Sequence, residues 1–166
     1  MHGMTRIRLA LAATMALALT ADGSAQSAAA TRLQGTFSDF SDIANASGAW
    51  HMTGEWSVDI KGASGKADVV ININMMRATS GGSPHTHHVA LLNATVNETA
   101  TGYTITGAAA ITSNGALAGF TGSPITVEIS GSPAVVPSSN FKVTFGGGAV
   151  SHFGTDPIDG VVTLRP

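Results

Sequence analysis

The chain lacks cysteine and has few charged and few aromatic residues. Its 166 residues contain no Cys, 11% Asp, Glu, Lys and Arg, and 5% Phe, Trp and Tyr. No disulfide can form, but a chain of this length can bury a core that folds without one. The formal net charge of −2 provides no basic surface for a nucleic acid, so we expect no such partner. Disorder is not expected either, because 43% of the residues are hydrophobic.

Long hydrophobic runs are also absent. The longest, residues 9–19, is interrupted only by Thr14 and is too short for a membrane span, which takes about 20 residues. Arg6 and Arg8 precede it and small residues follow, which predicts a signal peptide over residues 1–25, cleaved after Ala25 or as late as Ala30. Because this leader is rich in alanine, we expect a bacterial protein exported to the periplasm or the cell exterior, with no membrane span. The mature chain would have a loose tail over residues 26–32 and one domain over residues 33–166.

Alternation of apolar and polar residues predicts the fold class. Between residues 49 and 60 the even positions are apolar, Trp50, Trp56 and Val58 among them, and the odd positions from 51 to 59 are polar. This pattern is typical of a half-buried strand, and it places both tryptophans in the core rather than on a carbohydrate-binding surface. After a glycine-rich turn, the odd positions from Val69 to Met75 are apolar. We predict a long antiparallel hairpin.

The same pattern continues to the end of the chain without a long amphipathic helix. Further strands are predicted over residues 85–96, 103–112, 125–130, 141–145 and 158–164, with weaker ones over 33–40 and 115–120. Asn114-Gly115 is a typical two-residue hairpin turn. The glycines at 146–148 predict a corner followed by a short strand that carries His152. Seven to nine strands indicate a single antiparallel all-β domain, either a β-sandwich or a closed β-barrel.

Three histidines within four residues form the cluster most suggestive of chemistry. His85 and His87 are two apart, so on a strand they project to one side, while His88 projects to the other. Such an H-x-H pair is a common half of a zinc or copper site, and it needs a further ligand. Both parities of residues 85–96 are partly apolar, which leaves open whether this pair points inward or outward.

Two further histidines are candidates for the third metal ligand. His51 lies on the polar face of the first predicted strand, and His152 follows the glycine corner. The carboxylates of Glu55, Glu98 and Asp156 are alternatives. Three histidines with an open coordination position would permit hydrolysis or hydration at zinc, and copper suits the same ligands. The opposing interpretation is that these histidines only hydrogen-bond to neighbouring loops or face water.

Two functions from different classes follow. The first is a secreted, non-catalytic β-domain that binds an unknown small ligand or protein, because no nucleophile elbow, phosphate-binding loop or H-E-x-x-H sequence is present. Such a weakly charged protein could also self-associate through a sheet edge. The second is a zinc- or copper-binding protein, or a metal-dependent enzyme, that uses His85, His87 and a third histidine.

Overall fold

The computed structural model describes residues 30–41, 48–130 and 140–164, and these form one sheet of ten strands. The strands are β1 (Thr31–Phe40), β2 (Trp50–Ile60), β3 (Lys66–Arg77), β4 (His85–Thr99), β5 (Gly102–Ala108), β6 (Ala110–Ser113), β7 (Ala116–Leu117), β8 (Pro124–Ser130), β9 (Asn140–Phe145) and β10 (Ile158–Leu164). The predicted signal peptide lies outside the described residues. The first strand begins two residues before the expected start of the domain.

The sheet closes on itself as a barrel. Neighbouring strands follow the order β3-β2-β1-β10-β9-β8-β5-β4, all antiparallel, and β3 also pairs with β4. That last pairing joins the two ends of an eight-stranded sheet. Of the two all-β architectures that the sequence allowed, the structure is therefore the closed barrel. Closure satisfies the backbone groups that an open sheet would leave at its edges.

The strand predicted over residues 103–112 is divided in two at Ala109. Strand β4 pairs with β5 along its second half and with β6 along its first half. The backbone of Ala109 instead exchanges hydrogen bonds with the loop at Gly122 and Ser123. Strands β6 and β7 then form a small hairpin, and its turn residues Asn114 and Gly115 have φ values of 47° and 83°, as a type I′ turn requires. The predicted strand over 115–120 is reduced to the two residues of β7.

A bulge in β4 explains why residues 85–96 have apolar side chains at both odd and even positions. His87, Val89 and Leu91 face the interior, whereas Ala94 is the next buried residue. Between them Asn93 adopts a φ of 54°, and its N–H donates to the Asp68 carboxylate over 2.8 Å. The extra residue changes the inward parity from odd to even. The first half of β4 therefore directs its odd-numbered side chains into the barrel.

The helical segments are short. Among the described residues they are two 3₁₀ turns, Gly62–Ser64 and Gly147–Ala149, and the four-residue α-helix α1 (Val150–Phe153). The expected short strand that carries His152 is wrong, because this segment continues from the 3₁₀ turn into α1 and buries Ala149 and Phe153. In the part of the chain that is described, no helix has the length and apolarity needed to cross a membrane.

Two inward-facing glycines allow the strands to bend around a large aromatic core. Trp56 stacks on Phe141 with ring centroids 4.2 Å apart, and a Cβ at Gly35 would lie 2.8 Å from the Trp56 ring. A Cβ at Gly54 would collide with the backbone carbonyl oxygen of Asn72 and lie 2.6 Å from the Phe37 ring. Trp56 and the two glycines thus belong to one packing arrangement. The prediction that Trp56 lies in the core is confirmed.

We expect Gly54→Ala to lower the free energy of unfolding by about 3 kcal/mol, because the added methyl has no space in the closed wall. Gly119→Ala is the matched control: a Cβ there has nothing within 4 Å, so its effect should stay within about 0.5 kcal/mol. Urea unfolding of both variants measures the difference. Equal stabilities would contradict this account of barrel packing.

Candidate metal centre

The first residues of β4 and the helix α1 meet at one end of the barrel. His85 and His87 project inward from β4, and α1 lies between β9 and β10, where the chain crosses this end. His152, on α1, contacts both of them. The structure thus brings together three of the four histidines that the sequence singles out. We refer to His85, His87 and His152 as the histidine cluster.

The imidazole rings of the histidine cluster direct their Nε2 atoms toward one another. The distance between His152 Nε2 and His87 Nε2 is 2.8 Å, and that between His152 Nε2 and His85 Nε2 is 3.3 Å. One ligand atom from each residue lies within 4.8 Å of the others. A tetrahedral zinc ion with Zn–N bonds of 2.0–2.1 Å separates its nitrogens by about 3.3 Å. The two separations that involve His152 are within about half an ångström of this value, and the ligand atoms of the whole cluster lie within 4.8 Å of one another, so the three rings must adjust to hold such an ion.

Backbone carbonyl groups fix the tautomers of two of these rings. Nδ1 of His85 lies 3.0 Å from the carbonyl oxygen of Ser83, and Nδ1 of His87 lies 3.1 Å from that of Thr112. A carbonyl oxygen can only accept, so each Nδ1 carries a proton and donates it. In the neutral ring Nε2 then presents a lone pair to the cluster. Metal-binding histidines are commonly oriented by this second hydrogen bond.

Burial favours the neutral forms of His87 and His152. His87 is 2% exposed, and this burial, followed by the charge of His152, lowers the pKa of His87 to about 4, although its hydrogen bond to Thr112 acts in the opposite direction. The pKa of His152 is also lowered, first by burial and then by His85. A metal ion competes with protons for the same nitrogens, so rings with a low pKa remain available below neutral pH.

Aromatic side chains surround the cluster. Phe120 stacks on His152 with centroids 5.1 Å apart, Trp50 directs an edge contact to His85 at 5.0 Å, and Phe153 contacts His87 at 5.0 Å. These neighbours contribute no strong ligand atom, but they restrict how the imidazoles can turn. Trp50 is only partly buried, so it forms part of this rim rather than of the deep core that its parity predicts.

Glycine and serine give the segment around α1 its path across the barrel. Gly147 and Gly154 have φ values of 57° and 98°, a region that residues with a side chain rarely adopt. The Ser123 hydroxyl accepts a hydrogen bond from the Ala149 N–H over 3.1 Å and donates one to the Phe120 carbonyl oxygen. The glycine-rich stretch therefore does form a corner, and that corner positions His152.

The other candidate ligands lie elsewhere. His51 projects outward from β2, stacks on Phe40 and lies 3.0 Å from the Ser38 hydroxyl. Glu55 also projects outward and accepts a hydrogen bond from Asn72. Glu98 lies at the end of β4 opposite to His85 and His87. Among the described residues, the only group of three potential ligands is the histidine cluster.

Sequence reasoning missed the groups that orient the cluster. The carbonyl oxygens of Ser83 and Thr112 carry no side-chain signal, and the contact between Phe120 and His152 joins segments 32 residues apart. The exclusion of His51 was detectable, since its odd position on β2 faces outward by the same alternation that predicts the strand.

Comparison of the chain with protein-family models, with curated proteins and with solved structures found no match.

We expect the metal-free protein to lose stability as the pH falls from 6.5 to 4. The unfolded chain binds a proton at His87 in this range whereas the folded protein does not, so the free energy of unfolding decreases with falling pH. A shift from 6.5 to about 4 corresponds to about 3 kcal/mol. Urea unfolding at several pH values, with a chelator present, measures this effect.

The matched variants for this experiment are His87→Gln and His88→Gln. His87→Gln should flatten the pH dependence by most of that amount. His88 faces outward and pairs with Asn72, so His88→Gln should leave the dependence as in the wild type. If the free energy of unfolding of His87→Gln depends on pH as strongly as that of the wild type, His87 is not the source of the pH dependence.

Proposed function

We propose that this protein is an exported metal-binding β-barrel that binds one zinc or copper ion through Nε2 of His85, His87 and His152. The observation that carries the proposal is the convergence of three imidazole nitrogens at one point, two of them on rings whose Nδ1 protons are held by backbone carbonyls. Neutral imidazole is a ligand that suits zinc and copper equally.

A hydrogen-bonded histidine cluster without a metal satisfies the same atoms less well. With Nδ1 protonated, neutral His85 and His87 offer only lone pairs at Nε2. His152 Nε2 can carry one proton, which serves the 2.8 Å contact to His87 and leaves His85 Nε2 facing it at 3.3 Å. A second proton on the three Nε2 atoms would create a positive charge at a buried site, which is costly. A cation accepts all three lone pairs at once.

Binding, rather than catalysis, is the function that these contacts support. The ligands are three neutral rings with aromatic neighbours, and among the described residues no carboxylate joins the group. A metal-binding β-domain also fits the non-catalytic binding class that the sequence favours. The metal-dependent enzyme remains the alternative, and it would require a general acid or base near the ion.

One strand of the described residues offers a free edge for self-association. Of the described strands, β7 alone lacks a second partner, and Leu117 on it is 71% exposed. A free edge of two residues is short, and short edges pair poorly. We therefore place this interaction second to metal binding.

We expect the mature wild-type protein to bind one equivalent of zinc or copper, and His152→Ala to weaken that binding about a hundredfold or more, because removing a ligand costs at least as much as removing its orienting group. Metal at 100 times its dissociation constant should stabilise the wild type by about 2.7 kcal/mol. Isothermal titration calorimetry, elemental analysis by mass spectrometry and thermal unfolding measure these quantities.

His85→Gln provides a second test if His152→Ala fails to fold, and circular dichroism of each metal-free variant checks folding. His51→Gln and His88→Gln are matched controls, because both histidines lie outside the cluster, and both variants should bind metal as the wild type does. Equal binding by His152→Ala and His85→Gln, or no binding by the wild type, would overturn the proposal.

Export has its own test. When the full chain is expressed in a bacterium, we expect protein in the periplasm or medium whose mass corresponds to an N-terminus at Gln26, or at Thr31 if cleavage is late. The variant R6E/R8E removes the basic residues before the hydrophobic run and should keep the chain in the cytoplasm. Uncleaved wild-type protein in the cytoplasm would contradict export.

A further inference from the structure

The histidine cluster supplies three ligands, and this number has a consequence for any ion that it holds. Zinc normally takes four ligands, and structural zinc sites obtain all four from the protein. In the described part of the chain, no fourth His, Asp or Glu joins the group. Because all three ligands are neutral imidazoles, they leave the full charge of a divalent ion uncompensated.

The exposure of the three ligands indicates where a further ligand can approach. His87 is buried and lies on the inner side of the cluster, whereas His85 and His152 are partly exposed. Trp50 flanks His85 and Phe120 flanks His152, and both of these rings are themselves only partly buried. Each of the two partly exposed ligands is thus flanked by a partly buried aromatic side chain.

From this geometry we propose that the metal keeps an exchangeable coordination position on its solvent side and binds small monovalent anions there. This inference rests on the proposed metal-binding function and adds a ligand class to it. An anion offsets the charge that neutral imidazoles leave, and the aromatic walls favour a small ligand with a single donor atom. In the absence of such an anion, water occupies the same position.

One residue of the barrel could close that position instead. Met75 is the register partner of His85 on β3, has the same inward parity and is buried. Thioethers bind copper, and a weak axial methionine completes some copper sites. Buried methionine in a barrel interior is also an ordinary core residue. If the Met75 sulfur completes the coordination, the site has no exchangeable position, so the experiment must separate the two arrangements.

The test uses the full mature protein loaded with Co²⁺, whose visible absorption responds to the number and identity of its ligands, and titrates it with azide. We expect a spectral change that saturates at one azide per cobalt, with the cobalt retained after desalting. Met75→Leu should bind azide with an affinity within about twofold of the wild type, since this swap conserves core volume. His51→Gln is the control for substitution outside the site.

The outcomes separate the two proposals. If Co²⁺ does not bind, and zinc and copper do not bind either, the proposed function itself fails. If Co²⁺ binds but azide changes nothing in the wild type or in Met75→Leu, the exchangeable position is overturned while the metal site stands. If azide binds only to Met75→Leu, the methionine occupies the position, which also overturns it. His152→Ala with added Co²⁺ provides the reference for azide complexes formed in solution.

Discussion

The pairing of β3 with β4 closes the barrel and also determines where the histidines point. Its register places Met75 opposite His85 and Ile73 opposite His87, so both histidines share the inward parity of a strand whose interior side chains are apolar. A shift of one residue would move the entire histidine pair to the outer surface and bury His88 in its place. The fold and the candidate site therefore depend on the same set of backbone hydrogen bonds.

The bulge at Asn93 makes this register compatible with the rest of β4. Beyond it, Ala94 faces inward, which the odd parity of the histidines would not allow. The Asp68 carboxylate accepts the Asn93 N–H and also pairs with Lys61 over 2.9 Å. This ion pair lies on the barrel surface, so it contributes little to the free energy of unfolding. We expect it to hold the local geometry of the bulge.

Helix α1 obtains its stability from the barrel. One helical turn is not stable by itself, since forming the first turn fixes several residues for a single hydrogen bond. Phe153 stacks on Phe145 with centroids 4.0 Å apart, and Ala149 is fully buried. These contacts attach His152 to the core. A metal ion would add a third attachment, from α1 to β4 through the imidazoles.

Alternation was sufficient to predict the strands and the all-β class, and it failed at identifiable places. The break at Ala109 and the bulge at Asn93 depend on hydrogen bonds to distant segments, which no local pattern encodes. The glycines at 146–148 predict a corner followed by a short strand, whereas Gly147, with a φ of 57°, leads into a helical turn that buries Phe153. Closure into a barrel, rather than packing into a sandwich, is decided by the pairing of β3 with β4 and so by the full topology.

The candidate site, like the fold, was predictable only where a local pattern encodes it. The H-x-H pair at His85 and His87 could be found from spacing alone. The position of His152 beside this pair depends on the chain crossing one end of the barrel between β9 and β10, which the sequence does not show. Parity would have excluded His51, because its neighbours Trp50 and Met52 define the inward face of β2. The structure alone identifies the carbonyl groups of Ser83 and Thr112 as orienting groups.

The histidine cluster is a place where this barrel departs from what packing alone would select. The buried polar residues of the described chain are Ser41, His87 and Ser123. Each serine forms a hydrogen bond with a backbone N–H, from Trp50 and Ala149 respectively, and so has a structural explanation. His87 differs, because its Nδ1 bond leaves Nε2 directed at another titratable ring. A phenylalanine side chain in place of His87 would fill this space beside Phe120 and Phe153 without the cost of desolvating an imidazole. Such local conflicts with stability typically mark functional sites, and the proposed ligation of a metal ion would use all three nitrogens.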